Sequence, residues 1–142
     1  MRISDVVRSK GVRVVTIGSD GTVQELLALL NDFKIGAVVV TDDGESIDGI
    51  VSERDIVRHL HAEGPQILTG PVSAIMTPNV RTITPDADLN EVEQTMTNNR
   101  FRHVPVVVDG KLHAIVSIGD IVKVRIESLQ AERDQLVGYI QQ

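Results

Sequence analysis

Gly49-Ile50-Val51-Ser52-Glu53-Arg54-Asp55 is echoed sixty-five residues later by Ala114-Ile115-Val116-Ser117-Ile118-Gly119-Asp120. Each copy is an apolar run, then a serine, then an aspartate three positions on. Working back from this pair, the echo holds at an offset of 66: Asp43-Gly44 answers Asp109-Gly110, and Ala37-Val38-Val39-Val40 answers His103-Val104-Pro105-Val106. Thr22-Val23-Gln24-Glu25 answers Asp88-Leu89-Asn90-Glu91, and Thr16-Ile17 answers Thr82-Ile83. Further upstream, Ile3-Ser4-Asp5-Val6-Val7 matches Val72-Ser73-Ala74-Ile75-Met76. An ordered internal repeat of this kind marks a supersecondary unit used twice.

Each copy predicts β-α-β-β-α. A short strand (Val14–Ile17, Arg81–Ile83) leads to Thr22-x-x-Glu25 or Asp88-x-x-Glu91, the spacing of a helix N-terminus whose cap and third residue satisfy each other's backbone groups. Val23, Leu26, Leu27 and Leu30 then form one apolar stripe at i, i+3, i+4, i+7. Leu89, Val92 and Met96 repeat it with Glu93 standing where Leu27 stood. A β-branched run, a Gly turn and a second apolar run (Ile47–Val51, Leu112–Val116) read as a hairpin, and Ser52 or Ser117 opens the next helix. The expected fold is mixed α/β (α+β), two units packed through their sheets around a shared core with pseudo-twofold symmetry. The boundaries are 1–61 for the first repeat, 62–71 for a linker holding Gly64-Pro65 and Gly70-Pro71, 72–126 for the second repeat and 127–142 for a C-terminal helix. In that tail Val122, Ile126, Leu129, Arg133, Leu136 and Ile140 follow the a/d spacing of a helical seam. It reads equally as a helix on its own domain or as a contribution to a homodimer.

Composition narrows the function. The 142 residues carry 42% hydrophobic and 24% charged residues, a globular balance, with a net charge of −6. Acids outnumber bases in both halves, 11 to 7 over residues 1–70 and 9 to 7 over 71–142, so no basic stripe for nucleic acid is present. The rings of Phe33, Phe101 and Tyr139 are too few for a base-stacking platform. No apolar run is long enough for a membrane helix and no signal-peptide pattern opens the chain, so a cytoplasmic protein without membrane contact is expected. With no cysteine, thiolate chemistry is excluded; His59 and His61 do not share a helix face, and His113 has no ligand cluster. No nucleophile elbow, Walker or Rossmann glycine pattern is present, so no enzyme is expected.

The Ser52/Asp55 and Ser117/Asp120 turns read two ways. Ser-x-x-Asp before an apolar run is an acidic capping box. It is also a helix N-terminus suited to a phosphate beside a carboxylate suited to a ribose diol. Arg100-Phe101-Arg102-His103 adds cations at the start of a strand, where the first half has the nearly uncharged Lys34-Ile35-Gly36-Ala37. Two unequal sites are therefore expected. Lys10-Gly11-Val12-Arg13 forms a small basic loop, read as a surface loop or a phosphate contact.

Together with Met76-Thr77-Pro78 and Arg102-His103-Val104-Pro105-Val106, the duplicated unit resembles a tandem pair of CBS (cystathionine β-synthase) domains over residues 1–126, in the manner of small stand-alone bacterial CBS-pair proteins. The resemblance implies a homodimeric regulatory or sensor module, with no required cofactor, that binds an adenine nucleotide (AMP, ADP, ATP or NAD(H), sometimes S-adenosylmethionine) in clefts between the repeats. By position, Asp55 and Asp120 would take ribose hydroxyls, with Ser52 and Ser117 near ribose or phosphate. Thr16 and Thr82 would line the cleft, while Ala37, Val38 and Val104 would offer backbone groups to the base. Arg102 and His103 would meet phosphates, with Arg54 and the weaker candidates Lys10 and Arg13. The base itself would be held between Val, Ile and Ala. Gly36-Ala37 departs from the Arg-His of the second repeat, which leaves room for the alternative of a protein–protein scaffold with vestigial sites and an unknown regulated partner.

Overall fold

Two apolar stripes, each too narrow to close a core alone, explain how the chain folds. The computed structural model describes residues 1–11 and 13–141; Val12 of the basic loop and Gln142 of the tail lie outside the described residues. The helices are α1 (Ile3–Lys10), α2 (Val23–Phe33), α3 (Glu53–Glu63), α4 (Leu89–Asn99) and α5 (Ile118–Ile140), and the strands are β1 (Thr16–Ile17), β2 (Ala37–Val40), β3 (Gly49–Ser52), β4 (His103–Val108) and β5 (Lys111–Ser117). Residues 62–71 are the last turn of α3 and a 3-10 turn, Pro65–Thr69; a second 3-10 turn spans Val72–Ala74.

Both expected caps form, on α2 and α4. Thr22 Oγ1 accepts from the Glu25 N–H, and Asp88 Oδ2 accepts from the Glu91 N–H, each at 3.1 Å. Val23, Leu26 and Leu30 are buried, but Leu27 is 39% exposed at the stripe's edge. Its counterpart Glu93 is therefore also marginal, and it pairs with Arg125 of α5 at 2.5 Å.

The first half makes a three-stranded sheet in the order β1-β2-β3, with β1 parallel and β3 antiparallel to β2. In the second half β4 and β5 pair antiparallel with a bulge at Val106/Val107. The strand expected at Arg81–Ile83 shrinks to one parallel bridge, Ile83 to Val106, held by the Ile83 N–H to Pro105 O and the Val107 N–H to Ile83 O. Only Ile83 turns toward the core cluster there; Arg81 and Thr82 are exposed, so nothing extends the pairing.

The expected shared core is in fact two clusters, each closed by the opposite half. One holds Leu89, Val92, Met96, Val104, Val106, Ala114, Val116, Ile121 and Val124 with Ile3, Val6 and Val7 of α1. The other holds Val23, Leu26, Leu30, Val38, Val40, Val51 and Ile56 with Val72 and Ile75 from the start of the second repeat. The exchange is symmetric in the backbone. The Ile3 N–H donates to Ala87 O at 3.0 Å, and at the matching place the Val72 N–H donates to Gly21 O at 2.7 Å. Gly49 is required where the returning segment crosses β3, because a Cβ there would stand 2.6 Å from Met76 Sδ and 2.9 Å from Thr77 O.

The last helix is continuous over 23 residues. Only Ile121 and Val124 are buried; Val122, Ile126, Leu129, Leu136 and Ile140 are exposed, the last by 80%. The tail therefore does not lie on its own core.

Candidate functional site

The two strand-to-helix turns are built alike, and in each the aspartate completes a capping box with a single carboxylate oxygen. Asp55 Oδ2 accepts from the Ser52 N–H (2.8 Å) and the Ser52 hydroxyl (3.1 Å), and Asp120 Oδ2 accepts from the Ser117 N–H (2.8 Å). In each aspartate Oδ1 makes no hydrogen bond among the described residues. One oxygen caps the helix while the other stays available to a donor such as a sugar hydroxyl. Asp55 is only 7% exposed, and its Oδ1 has the Arg58 guanidinium of the same helix as an ion-pair partner at 3.7 Å.

Asp55 opens onto a cleft of about 260 Å³ between the halves. The first half supplies Gly36, Ala37, Ile50, Ser52, Glu53, Arg54, Asp55 and Arg58; the second supplies Thr77, Arg100, Phe101, Arg102 and His103. Four arginines against two acids make this wall cationic in a protein of net charge −6. Arg58 stands 3.7 Å from Asp55 Oδ1, and Arg54 donates to Arg100 O at 3.4 Å. Arg100 itself caps α4 in the left-handed region (φ 58°), where a β-carbon is disfavoured. Its counterpart Lys34 caps α2 the same way (φ 54°) and faces the second cleft. A cation is thus held at matching points of both halves despite the backbone cost.

Asp120 opens onto a second cleft of about 280 Å³, lined by Lys10, Arg13, Val15, Lys34, Ile35, Gly36, Ala37, His103, Ile115 and Ser117 as well. Burial works to raise the Asp120 carboxyl, but hydrogen bonds from Lys10 and the Ser117 N–H outweigh it and hold the group below the usual carboxylate value. Gly36, Ala37 and His103 border both clefts. A Cβ on Gly36 would come within 2.8 Å of Glu53 Oε1 and 3.3 Å of His103 Cε1, so the glycine that replaces arginine in this half leaves space for both side chains. Burial lowers the His103 imidazole, Lys10 and Arg102 lower it further, and Asp120 and Glu53 oppose them.

Of the residues expected at a site, Ser52, Arg54, Asp55, Arg102, Ala37 and His103 meet at the first cleft, and Lys10, Arg13, Ser117, Asp120, Ala37 and His103 at the second. Val38 and Val104 are core residues, and neither they nor Thr16 and Thr82 are among the lining of these two clefts. Sequence reasoning did not single out Arg58, Thr77, Glu53 or Phe101. Arg58 carried a signal, since it follows Asp55 by one helical turn. Thr77 and Phe101 arrive only through the packing of the halves. Phe101 also puts a ring in a wall expected to be purely aliphatic.

A pair of repeats thus encloses between its halves two clefts rich in cationic side chains. The CBS domain family matches residues 3–62 and 72–127, and the chain belongs to that family. The CBS-domain containing protein ATU1752 from Agrobacterium tumefaciens superposes with a TM-score of 0.85 at 42% identity, covering 88% of this chain and 99% of that one. The mitochondrial CBS domain-containing protein CBSX3 of Arabidopsis thaliana is 35% identical over 98% of this chain and 71% of its own length. The CBS domain pair of MJ0100, solved in complex with 5′-methylthioadenosine and S-adenosyl-L-methionine, shares the fold at a TM-score of 0.78 and 23% identity. No helix among the described residues is long and apolar enough to cross a membrane.

Proposed function

We propose that this chain is a non-enzymatic regulatory module that senses an adenine nucleotide, acting in the cytoplasm as a homodimer. The observation that carries the reading is the repeated aspartate with one oxygen in a helix cap and the other without a hydrogen bond among the described residues, in a cleft to which the opposite half brings cations. Ribose hydroxyls would donate to Oδ1 of Asp55 or Asp120. Phosphates would meet Arg54, Arg58, Arg100 and Arg102 in the first cleft and Arg13 and Lys34 in the second, where arginine offers bidentate contacts. The base would lie against Ala37, Ile50 and Phe101, or against Val15, Ile35 and Ile115. A ligand so placed touches both halves, and it shifts their arrangement by as much as it prefers one arrangement over another.

The test is a melting series of nucleotide-stripped protein with AMP, ATP, NAD, NADH and S-adenosylmethionine. At one hundred times the dissociation constant a ligand adds about 2.7 kcal/mol of stability. Asp55→Ala and Asp120→Ala each abolish one cleft's share. No shift with any compound overturns the reading. The bare apolar face of α5 favours a second reading, a protein-contact scaffold, under which association is indifferent to nucleotide and is weakened by ending the chain after Ile126.

A further inference from the structure

Lys10, the last residue of α1, reaches across 110 positions of sequence into the second cleft. Its ammonium donates to Asp120 Oδ2 at 2.6 Å and to Ile115 O at 2.7 Å. Among the described residues the first cleft has no such occupant: Asp55 accepts hydrogen bonds only from Ser52, and the Arg58 guanidinium pairs with it at 3.7 Å. The second cleft therefore presents its carboxylate already engaged, with Arg13 and Lys34 beside it and Asp120 as the one acid in its lining.

A ribose diol offers two donors: the first finds Oδ1 of Asp120 open, but the second needs Oδ2 and must compete there with this ammonium. Once displaced, Lys10 stands with two further cations around a single carboxylate, and an uncharged nucleoside brings nothing to receive it. A sulfonium-bearing adenosine adds to the repulsion. A phosphate replaces the lost partner, because a freed ammonium can turn from the carboxylate to a phosphate oxygen with its charge-assisted hydrogen bonds kept. We propose that Lys10 is an electrostatic lock on the Asp120 cleft, opened by phosphorylated adenosines and closed to neutral or cationic ones. The proposal rests on the nucleotide reading above and deepens it by assigning a ligand class to one cleft.

Calorimetric titration of adenosine, AMP and S-adenosylmethionine into an Asp55→Asn protein isolates the second cleft. With Lys10 present, AMP binds about tenfold or more tightly than adenosine, and Lys10→Met tightens adenosine binding about tenfold while weakening AMP, as expected for a charged hydrogen bond that must be broken on entry. A Lys10→Gln protein, closer in polarity, shows the same direction and guards against a local collapse in the methionine variant. A lysine that merely contacts phosphate would leave adenosine unchanged in both variants, and that result overturns the lock while sparing the nucleotide reading. Binding to the wild-type protein but not to Asp55→Asn also overturns it. Absence of binding to either protein overturns the nucleotide reading, and the lock with it.

Discussion

In Asp55 and Asp120 the helix cap engages one carboxylate oxygen and leaves the other for a second task, which explains why sequence alone leaves the turn ambiguous. The cap uses only Oδ2, so a structural role does not exhaust the residue. His103 carries the next consequence at this scale. It borders both clefts, and burial together with Lys10 holds its imidazole below the ordinary value of 6.5 against the pull of Asp120 and Glu53. A base depressed on folding contributes stability that is complete above its unfolded pKa and is lost as pH falls through the window between that value and the folded one. The free protein is therefore expected to lose stability from about pH 7 downward, ahead of the carboxylates, whose window lies lower. His103→Gln should flatten that slope in melting scans. An anion entering either cleft favours the protonated ring, so AMP binding near pH 6 should take up a proton. Titrations in buffers of different ionisation enthalpy measure this uptake, and His103→Gln should abolish it.

Elements differ in how far a local pattern could announce them. The helices with a fixed period and a cap were readable because both signals lie within a few residues of each other: Thr22 with Glu25, then Val23, Leu26 and Leu30. Leu27 belongs to the stripe by spacing yet lies 39% exposed at its edge, because where a stripe ends depends on what packs above it. The strand at Arg81–Ile83 was over-read, since pairing there rests on the single residue that reaches the core. The cleft walls were readable only in part: Asp55 and Asp120 stand out by repetition, whereas Thr77 and Phe101 join the site through contacts with no sequence spacing at all. The seam of α5 was legible as spacing, and its exposure now gives it a test. At a rise of about 1.5 Å per residue its 23 residues span roughly 34 Å, most of it uncovered. Replacing Leu129 and Leu136, each 64% exposed, by glutamate should convert the proposed dimer to monomer in sedimentation. Stability of the individual chain should change by no more than about 0.5 kcal/mol per site, as for other surface positions.

At the scale of the molecule the halves are interlocked by exchange of their opening segments, and no local motif foretells that. Ile3 is fully buried in the core of the second half. Ile3→Ala should cost about 2–5 kcal/mol, the usual range for emptying such a position. Amide exchange is the discriminating measurement: protection should fall first in β4 and β5 rather than in the neighbouring β1 and β2. The reverse order would mean that α1 serves its own repeat. The same exchange bears on birth at the ribosome. Ile3, Val6 and Val7 are made well over a hundred residues before Ile121 and Val124, which help to cover them, so at roughly 5–20 residues per second they wait on the order of 6–24 s for shelter. For that interval the nascent chain carries the uncovered apolar face of α1, and α1 is where a chaperone would be needed most.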